Sequence, residues 1–237
     1  MNNKRVAIFG GTSGIGEATA RLASSQGAKV VIVGRNPERL EAALSRLPGA
    51  SGKTADGTDP EAVARVFEGA PPFDHVVVCV SGGKGAGAFR ELDLQAVRDA
   101  FAAKTLAQLT VIQVAARSMK SGSITLVTAA SACSTIRGTA GLAAVNGALE
   151  AVVPILALEL APIRVNAVSP GIVDTPWWDG MPREQKDGFF RQASAALPVG
   201  RVGKPDEIGR AIVFLMTSGF TTGSTFVVDG GGHLAMH

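Results

Sequence analysis

A run of glycines and small hydroxyl residues, Gly10-Gly11-Thr12-Ser13-Gly14-Ile15-Gly16, follows the apolar stretch 6–9 directly and opens at once into a helical pattern. Glycine lets the chain turn sharply and lets a pyrophosphate approach the backbone. Free N–H groups and the positive dipole end at a helix start then bind its charge. In the order strand, loop, helix, this is the chemistry of a dinucleotide seat rather than of an ordinary turn. The next strand pattern ends at Gly34-Arg35-Asn36. An acidic residue there would accept from a ribose 2′-hydroxyl and repel a 2′-phosphate. Arginine reverses both preferences, so Arg35, with Asn36 beside it, points to NADP(H). The alternative for Arg35 is a surface arginine at a helix start, where a cation is slightly unfavourable.

The elements that must position these residues follow from periodicity. Short runs rich in valine and isoleucine predict strands at 6–9, 29–33, 52–55, 74–80, 123–128, 163–169 and 225–228. Longer helical patterns at 14–25, 37–47, 60–68, 94–119, 141–160 and 205–216 alternate with them. This alternation predicts an α/β fold, a doubly wound (Rossmann) parallel seven-stranded sheet with helices on both faces, in a single domain over 1–237. The segment 175–197, with Trp177, Trp178, Met181, Phe189 and Phe190, is the one long insertion after a strand. It is expected to hang over the carboxyl ends of the strands, either as an apolar lid for a hydrophobic or aromatic substrate or as core or subunit-contact surface.

Composition bounds the function. The chain is 46% hydrophobic and 18% charged, enough for a sizeable core and contrary to disorder. Its lysines and arginines are scattered under a net charge of +3, so no nucleic-acid-binding face is expected. The apolar run 6–9 stops at Gly10-Gly11, which argues against an export signal, and the other apolar stretches read as strand-length or interrupted by polar residues. Two cysteines, Cys79 and Cys133, stand in no metal-ligand spacing. A soluble protein of a reducing cytoplasm, binding no metal and no membrane, is the expectation.

Together these motifs resemble the short-chain dehydrogenase/reductase family over essentially the whole chain. The stretch from Ile163 through Asn166, Ser169-Pro170-Gly171 and Ile172 to Thr175-Pro176 is similar to the family's signature after its sixth strand, and Thr225 to Gly231 resembles its last strand. The resemblance implies that Asp56 meets the adenine, that Val80, Ser81 and Gly82 meet the adenosine ribose side, and that Ile172 and Thr175 meet the nicotinamide carboxamide. Thr128, Pro170 and Gly171 join the cofactor-binding set on the same ground. It also implies a homodimer or homotetramer joined through the fourth and fifth helices.

The family's catalytic pattern is absent. Its tyrosine and lysine on the fifth helix, its serine after the fifth strand and its asparagine on the fourth helix align with Leu142, Asn146, Ala129 and Lys104. The chain contains no tyrosine at all, so no realignment restores the usual proton donor. Val97, Phe101 and Lys104 follow at steps of four and three, which puts the lysine on an inward stripe. Lys104 could then supply a positive charge or a proton where the family lysine is missing, while Asn146, at the edge of the stripe Leu142, Val145, Leu149, Val152 and Leu156, bonds the nicotinamide ribose. Otherwise Lys104 snorkels to solvent or pairs with Asp99 or Glu150. Ser131 is the nearest replacement for the lost serine, and Cys133 has no histidine close in sequence among His75, His233 and His237. Three functions remain open: an NADP(H)-dependent oxidoreductase acting on a hydrophobic carbonyl or alcohol, a non-redox cyclase or isomerase, and a catalytically silent NADP(H)-binding sensor or partner subunit.

Overall fold

Strands β1 (Arg5–Phe9), β2 (Lys29–Gly34), β3 (Ser51–Thr54), β4 (His75–Val78), β5 (Ser123–Val127), β6 (Arg164–Pro170) and β7 (Thr225–Val228) pair in parallel in the order β3-β2-β1-β4-β5-β6-β7. The structure, a computed structural model, describes residues 1–69 and 71–235; His237 lies outside them. Both faces of the sheet are covered because successive residues point to opposite sides. Phe9, Val76, Val78 and Leu126 face one core, with helices α3 (Pro60–Phe67), α5 (Ala107–Ser118) and α6 (Ala140–Glu159) supplying Val63, Val111 and Leu149. Ile8, Ile32 and Val77 face the other, where α1 (Gly14–Ser25), α2 (Pro37–Leu44) and α8 (Pro205–Thr217) supply Ala20, Leu40 and Ile212. Each of these valine, leucine, isoleucine and phenylalanine side chains contributes about 1.5–3 kcal/mol by leaving water. Strand order reverses between β1 and β4, so their carboxyl ends frame the crevice where ligands of such sheets bind.

The structure departs from the sequence expectations at several places. The helix expected at 94–119 is α4 (Leu94–Ala100), a π-helical segment at Phe101–Leu106, and α5. One widened turn in mid-helix is invisible to a 3.6-residue pattern. The insertion at 175–197 contains a 14-residue helix, α7 (Arg183–Ala196), hidden in sequence by its polar composition, and the chain closes with the short α9 (Gly232–Ala235). Strand β4 stops at Val78, leaving Val80 in the following loop. Helix α6 is, by length and composition, the helix among the described residues that could cross a membrane, contrary to the expectation of only short apolar runs. In this fold it packs Val145, Leu149 and Val153 on the sheet, while Leu142, Val152 and Leu156 are only half-buried.

Gly122, which leads into β5 at φ +103°, is required by close approach: a Cβ there would lie 1.8 Å from the carbonyl oxygen of Asp74. Ser123 donates its N–H to that same oxygen at 3.0 Å. Gly122→Ala is expected to destabilise the protein by about 2–4 kcal/mol, read as a fall in the denaturant midpoint.

Candidate functional site

The glycine turn leaves β1 with Gly10 at φ +77°, and a Cβ on Gly10 would sit 2.7 Å from the Cys79 carbonyl oxygen. Gly16, one turn on, allows α1 to start against the turn: a Cβ would fall 2.1 Å from the Gly10 oxygen. Ser13 is the extended residue before the helix, and its side chain makes no capping bond. The first-turn N–H groups of Gly14, Ile15 and Gly16 are therefore left uncapped by Ser13, as an anion-binding helix start requires. Thr12 packs its methyl on Gly34, where a Cβ would be 2.5 Å away, and this brings the end of β2 and the exposed Arg35 beside the turn. Thr175 closes the other side, its Cβ 3.3 Å from where one would stand on Gly14.

The side at which the sequence resemblance puts the adenine is built from short local bonds. Asp56 accepts from the Thr58 N–H at 2.9 Å and from its hydroxyl at 2.8 Å. These bonds, with a smaller contribution from Arg35, hold the Asp56 carboxyl below its usual range. Asn36 accepts from the Arg39 N–H at 2.8 Å and so caps α2, which leaves its amide nitrogen for a ligand.

At the switch point, Gln108 Nε2 donates to the carbonyls of both Val80 and Val127 at 3.0 Å, tying together the chain ends that leave β4 and β5. Ser81 and Gly82 follow, with Gly82 lying over Ala103. The loop then runs onto the start of α6, where Gly87 donates to the Gly138 carbonyl at 2.8 Å and a Cβ on Gly141 would stand 2.5 Å from the Gly85 oxygen. Leu142, at the tyrosine position, is half-buried beside this seam. Pro170 ends β6, and Gly171 and Ile172 follow it; Gly171 lies against Asp229, and the Ile172 carbonyl accepts from Gly203 at 2.9 Å.

Lys104 sits in the π-helical segment and is 6% exposed. Its ammonium donates to the Thr128 carbonyl at 3.0 Å. It neither snorkels nor pairs with Asp99, which is held instead by Lys84 at 3.1 Å and Gln95 at 2.9 Å. Nor does it bond Glu150 directly. Burial pushes Lys104 down to about 8, with opposing contributions from Cys79 and Glu150. Burial also pushes the Cys79 thiol up to about 12, so near neutral pH that thiol is uncharged and Glu150 is the anion facing the ammonium. Glu150 Oε1 accepts from the hydroxyls of Thr128 and Ser169, both at 2.7 Å.

Asn146, expected at the edge of its stripe, is instead buried. Its amide nitrogen donates to the Leu142 carbonyl at 2.9 Å and to Ser131 Oγ at 3.2 Å, while Oδ1 is buried without a partner. An unfilled acceptor in that position suits a ligand hydroxyl. Ser131 is thus brought to Asn146, in the 3-10 turn Ala130–Ala132 directly after Ala129. Neither of the described histidines, His75 and His233, is placed as a substitute base. His75 opens β4 opposite Val6, about 10 Å along the strand from its carboxyl end. It is bonded to Ser123 Oγ at 2.8 Å and pushed down to about 4 by burial. His233 is held by Asp229 at 2.8 Å, and the exposed Cys133 has its thiol raised by burial first and then by Glu150 and Asp229.

Trp178 anchors the insertion, donating to the Val173 carbonyl at 2.9 Å and packing against Phe189 at a tilt and Phe190 edge-on. Trp177, 46% exposed, reaches back to the loop after β4 at Gly83. Lys186 of α7 pairs with Asp174 at 2.9 Å. Residue pattern alone does not single out Gln108, four residues beyond Lys104, whereas Glu150, four beyond Asn146, is expected only as an alternative partner of Lys104.

Comparison with known proteins agrees with this geometry. A family model described as enoyl-(acyl carrier protein) reductase matches residues 10–233. Short-chain dehydrogenase/reductase ATR9 of Stachybotrys chlorohalonatus is 33% identical, covering 99% of this chain and 98% of its own, and L-xylulose reductase of Homo sapiens is 31% identical over 98% and 97%. Among solved structures, a small-chain dehydrogenase in complex with NADPH superposes with TM-score 0.86 at 30% identity, covering 99% of this chain and 100% of that one. MalC reductase/Diels-Alderase of Malbranchea aurantiaca superposes with TM-score 0.89 at 25% identity over 99% and 97%. The turn, the strand order and a match spanning nearly every residue lead to one assignment: this chain belongs to the short-chain dehydrogenase/reductase family, with the family's catalytic side chains replaced.

Proposed function

We propose that this protein is an NADP(H)-dependent oxidoreductase that interconverts a small hydrophobic carbonyl and its alcohol, with Lys104 as the proton donor or acceptor. The observation that carries this reading is the buried ammonium of Lys104, held by the Thr128 carbonyl just after β5, in a chain that has Leu142 where the family's acid would stand. Its pKa of about 8 lets it give and take a proton near neutral pH. The first turn of α1 holds the pyrophosphate, Arg35 the 2′-phosphate, and the free Oδ1 of Asn146 a ribose hydroxyl. The nicotinamide, when bound, supplies or accepts the hydride. Ser131 donates to the substrate oxygen, and Trp177 and Trp178 exclude water from above. The solved relative that holds NADPH supports the cofactor, and the curated relative named for xylulose reduction supports reduction of a carbonyl.

Arg35→Ala is expected to weaken NADPH binding by about tenfold to hundredfold, the worth of one or two charge-assisted hydrogen bonds, while NADH binding stays the same. Calorimetric titration with both nucleotides checks this, and equal losses for the two would remove Arg35 from the phosphate site. Activity is tested by substrate-dependent loss of NADPH absorbance with apolar ketones and aldehydes.

A second reading is favoured by the lost tyrosine together with the relative whose name joins reduction to a Diels–Alder reaction. In it the protein is a non-redox cyclase or isomerase on the same pocket. Product formation with the nucleotide left in its starting redox state would select it over the first. Tight NADPH binding without any turnover would instead select a silent sensor or partner subunit.

A further inference from the structure

We propose that Glu150 is a positioning residue that keeps Lys104 in its ammonium form, acting across Thr128 as a two-sided spacer. This rests on the reading of Lys104 as the acid, and it concerns a residue outside the family's four catalytic positions. Thr128 offers its carbonyl to Lys104 at 3.0 Å and its hydroxyl to Glu150 at 2.7 Å, so one residue is bonded to both charges. The same Glu150 oxygen takes the Ser169 hydroxyl at 2.7 Å, which ties the end of β6 to the end of β5. Two hydroxyl donors fix the carboxylate in place. Helix α6 carries Leu142, Asn146 and Glu150 four residues apart on one face, so Glu150 lies one turn below the residue that faces the ligand.

The charges around Lys104 leave this role to Glu150. From β4 comes Cys79, whose thiol is protonated near neutrality. On the lysine's own helix, Asp99 is bonded to Lys84 and Gln95. Beyond β7, Asp229 is bonded to His233, and it is Cys133 rather than Lys104 that feels its charge. The loop after β5 brings Cys133, whose thiol is raised and therefore neutral near pH 7. Among the described residues, Glu150 is the one carboxylate that opposes the burial of Lys104. Without it, the cost of desolvation would drive the lysine further toward the neutral amine, which has no proton to give to a carbonyl.

The test uses protein labelled with 13C at lysine Cε, with Lys104 assigned by the signal that Lys104→Met removes. Glu150→Gln keeps an oxygen for both hydroxyls and removes only the charge. The Lys104 midpoint is expected to fall by about one unit or more in Glu150→Gln and to be recovered largely in Glu150→Asp. The alkaline limb of the NADPH-dependent rate should move with it. A midpoint that moves while the rate profile stays would leave Glu150's role intact and overturn Lys104 as the acid. A midpoint unchanged in Glu150→Gln would overturn the role of Glu150 whatever the rate does. Should Glu150→Gln fail to fold, Thr128→Val cuts the hydroxyl link with both charges kept. In that variant, a Lys104 midpoint lower than wild type supports the spacer, and an unchanged one overturns it.

Discussion

Lys104→Met is expected to make the protein more stable at pH 7 and to reduce its turnover by about a hundredfold or more. The two effects share one cause. In the unfolded chain the lysine holds its proton up to the ordinary value of 10.5, whereas in the fold it does so only to about 8. Folding therefore opposes protonation, and the native state carries its full penalty below about pH 8. That penalty, roughly 3 kcal/mol as an order of magnitude, is relieved as pH rises from about 8 to 10.5. Methionine fills a similar volume without charge, but it leaves the Thr128 carbonyl without its donor, which costs about 1–2 kcal/mol. The net gain is about 1–2 kcal/mol, or a few degrees in Tm. Wild-type stability should rise from pH 8 to 9, above which the raised Cys79 thiol opposes the gain from Lys104, and the variant should lack that rise. In the carbonyl-reducing direction, where the ammonium is the active form, wild-type activity should fall over the same interval. A destabilised variant that keeps the wild-type pH slope would show that the lysine carries no burial penalty. Gain of stability with loss of turnover is what the proposed role of Lys104, a charge buried at a cost to the fold, predicts.

Gly16→Ala is expected to abolish NADPH binding to within measurement, a loss of about a hundredfold or more, and to lower stability by about 2–3 kcal/mol. The added Cβ would stand 2.1 Å from the Gly10 carbonyl oxygen, so either α1 or the turn must move. Neither can do so cheaply. Gly10 is itself wedged against the Cys79 carbonyl, and Gly209 of α8 packs on the Ala18–Thr19 backbone of α1. A displacement of about 1 Å at a helix start carries the anion-binding N–H groups out of reach. Fluorescence titration with NADPH measures the binding and a urea melt the stability. Binding within a few-fold of wild type would mean that the nucleotide sits elsewhere.

Much of the frame is legible in residue order. Strand β7 and helix α1 begin and end where their apolar periods and flanking glycines place them, because local pattern and final burial agree there. The glycine turn, Arg35 and the loss of tyrosine are also properties of residue type and order, which no packing arrangement can alter. Helix α7 escapes such a reading because its pattern is mostly polar and its aromatic residues find their partner, Trp178, only in space.

The state of Lys104 is decided by the tertiary structure alone. Its helical stripe puts it inward but cannot choose among solvent, Asp99, Glu150 and the Thr128 carbonyl, because those groups come from different elements. Likewise the buried, unfilled oxygen of Asn146 and the two hydrogen bonds that Glu150 accepts exist only where α6 meets the ends of β5 and β6. Residue order sets which groups are present and on which face of each element they lie. Proton affinity depends on the dielectric and on neighbours distant in sequence, and these arise only when the elements pack.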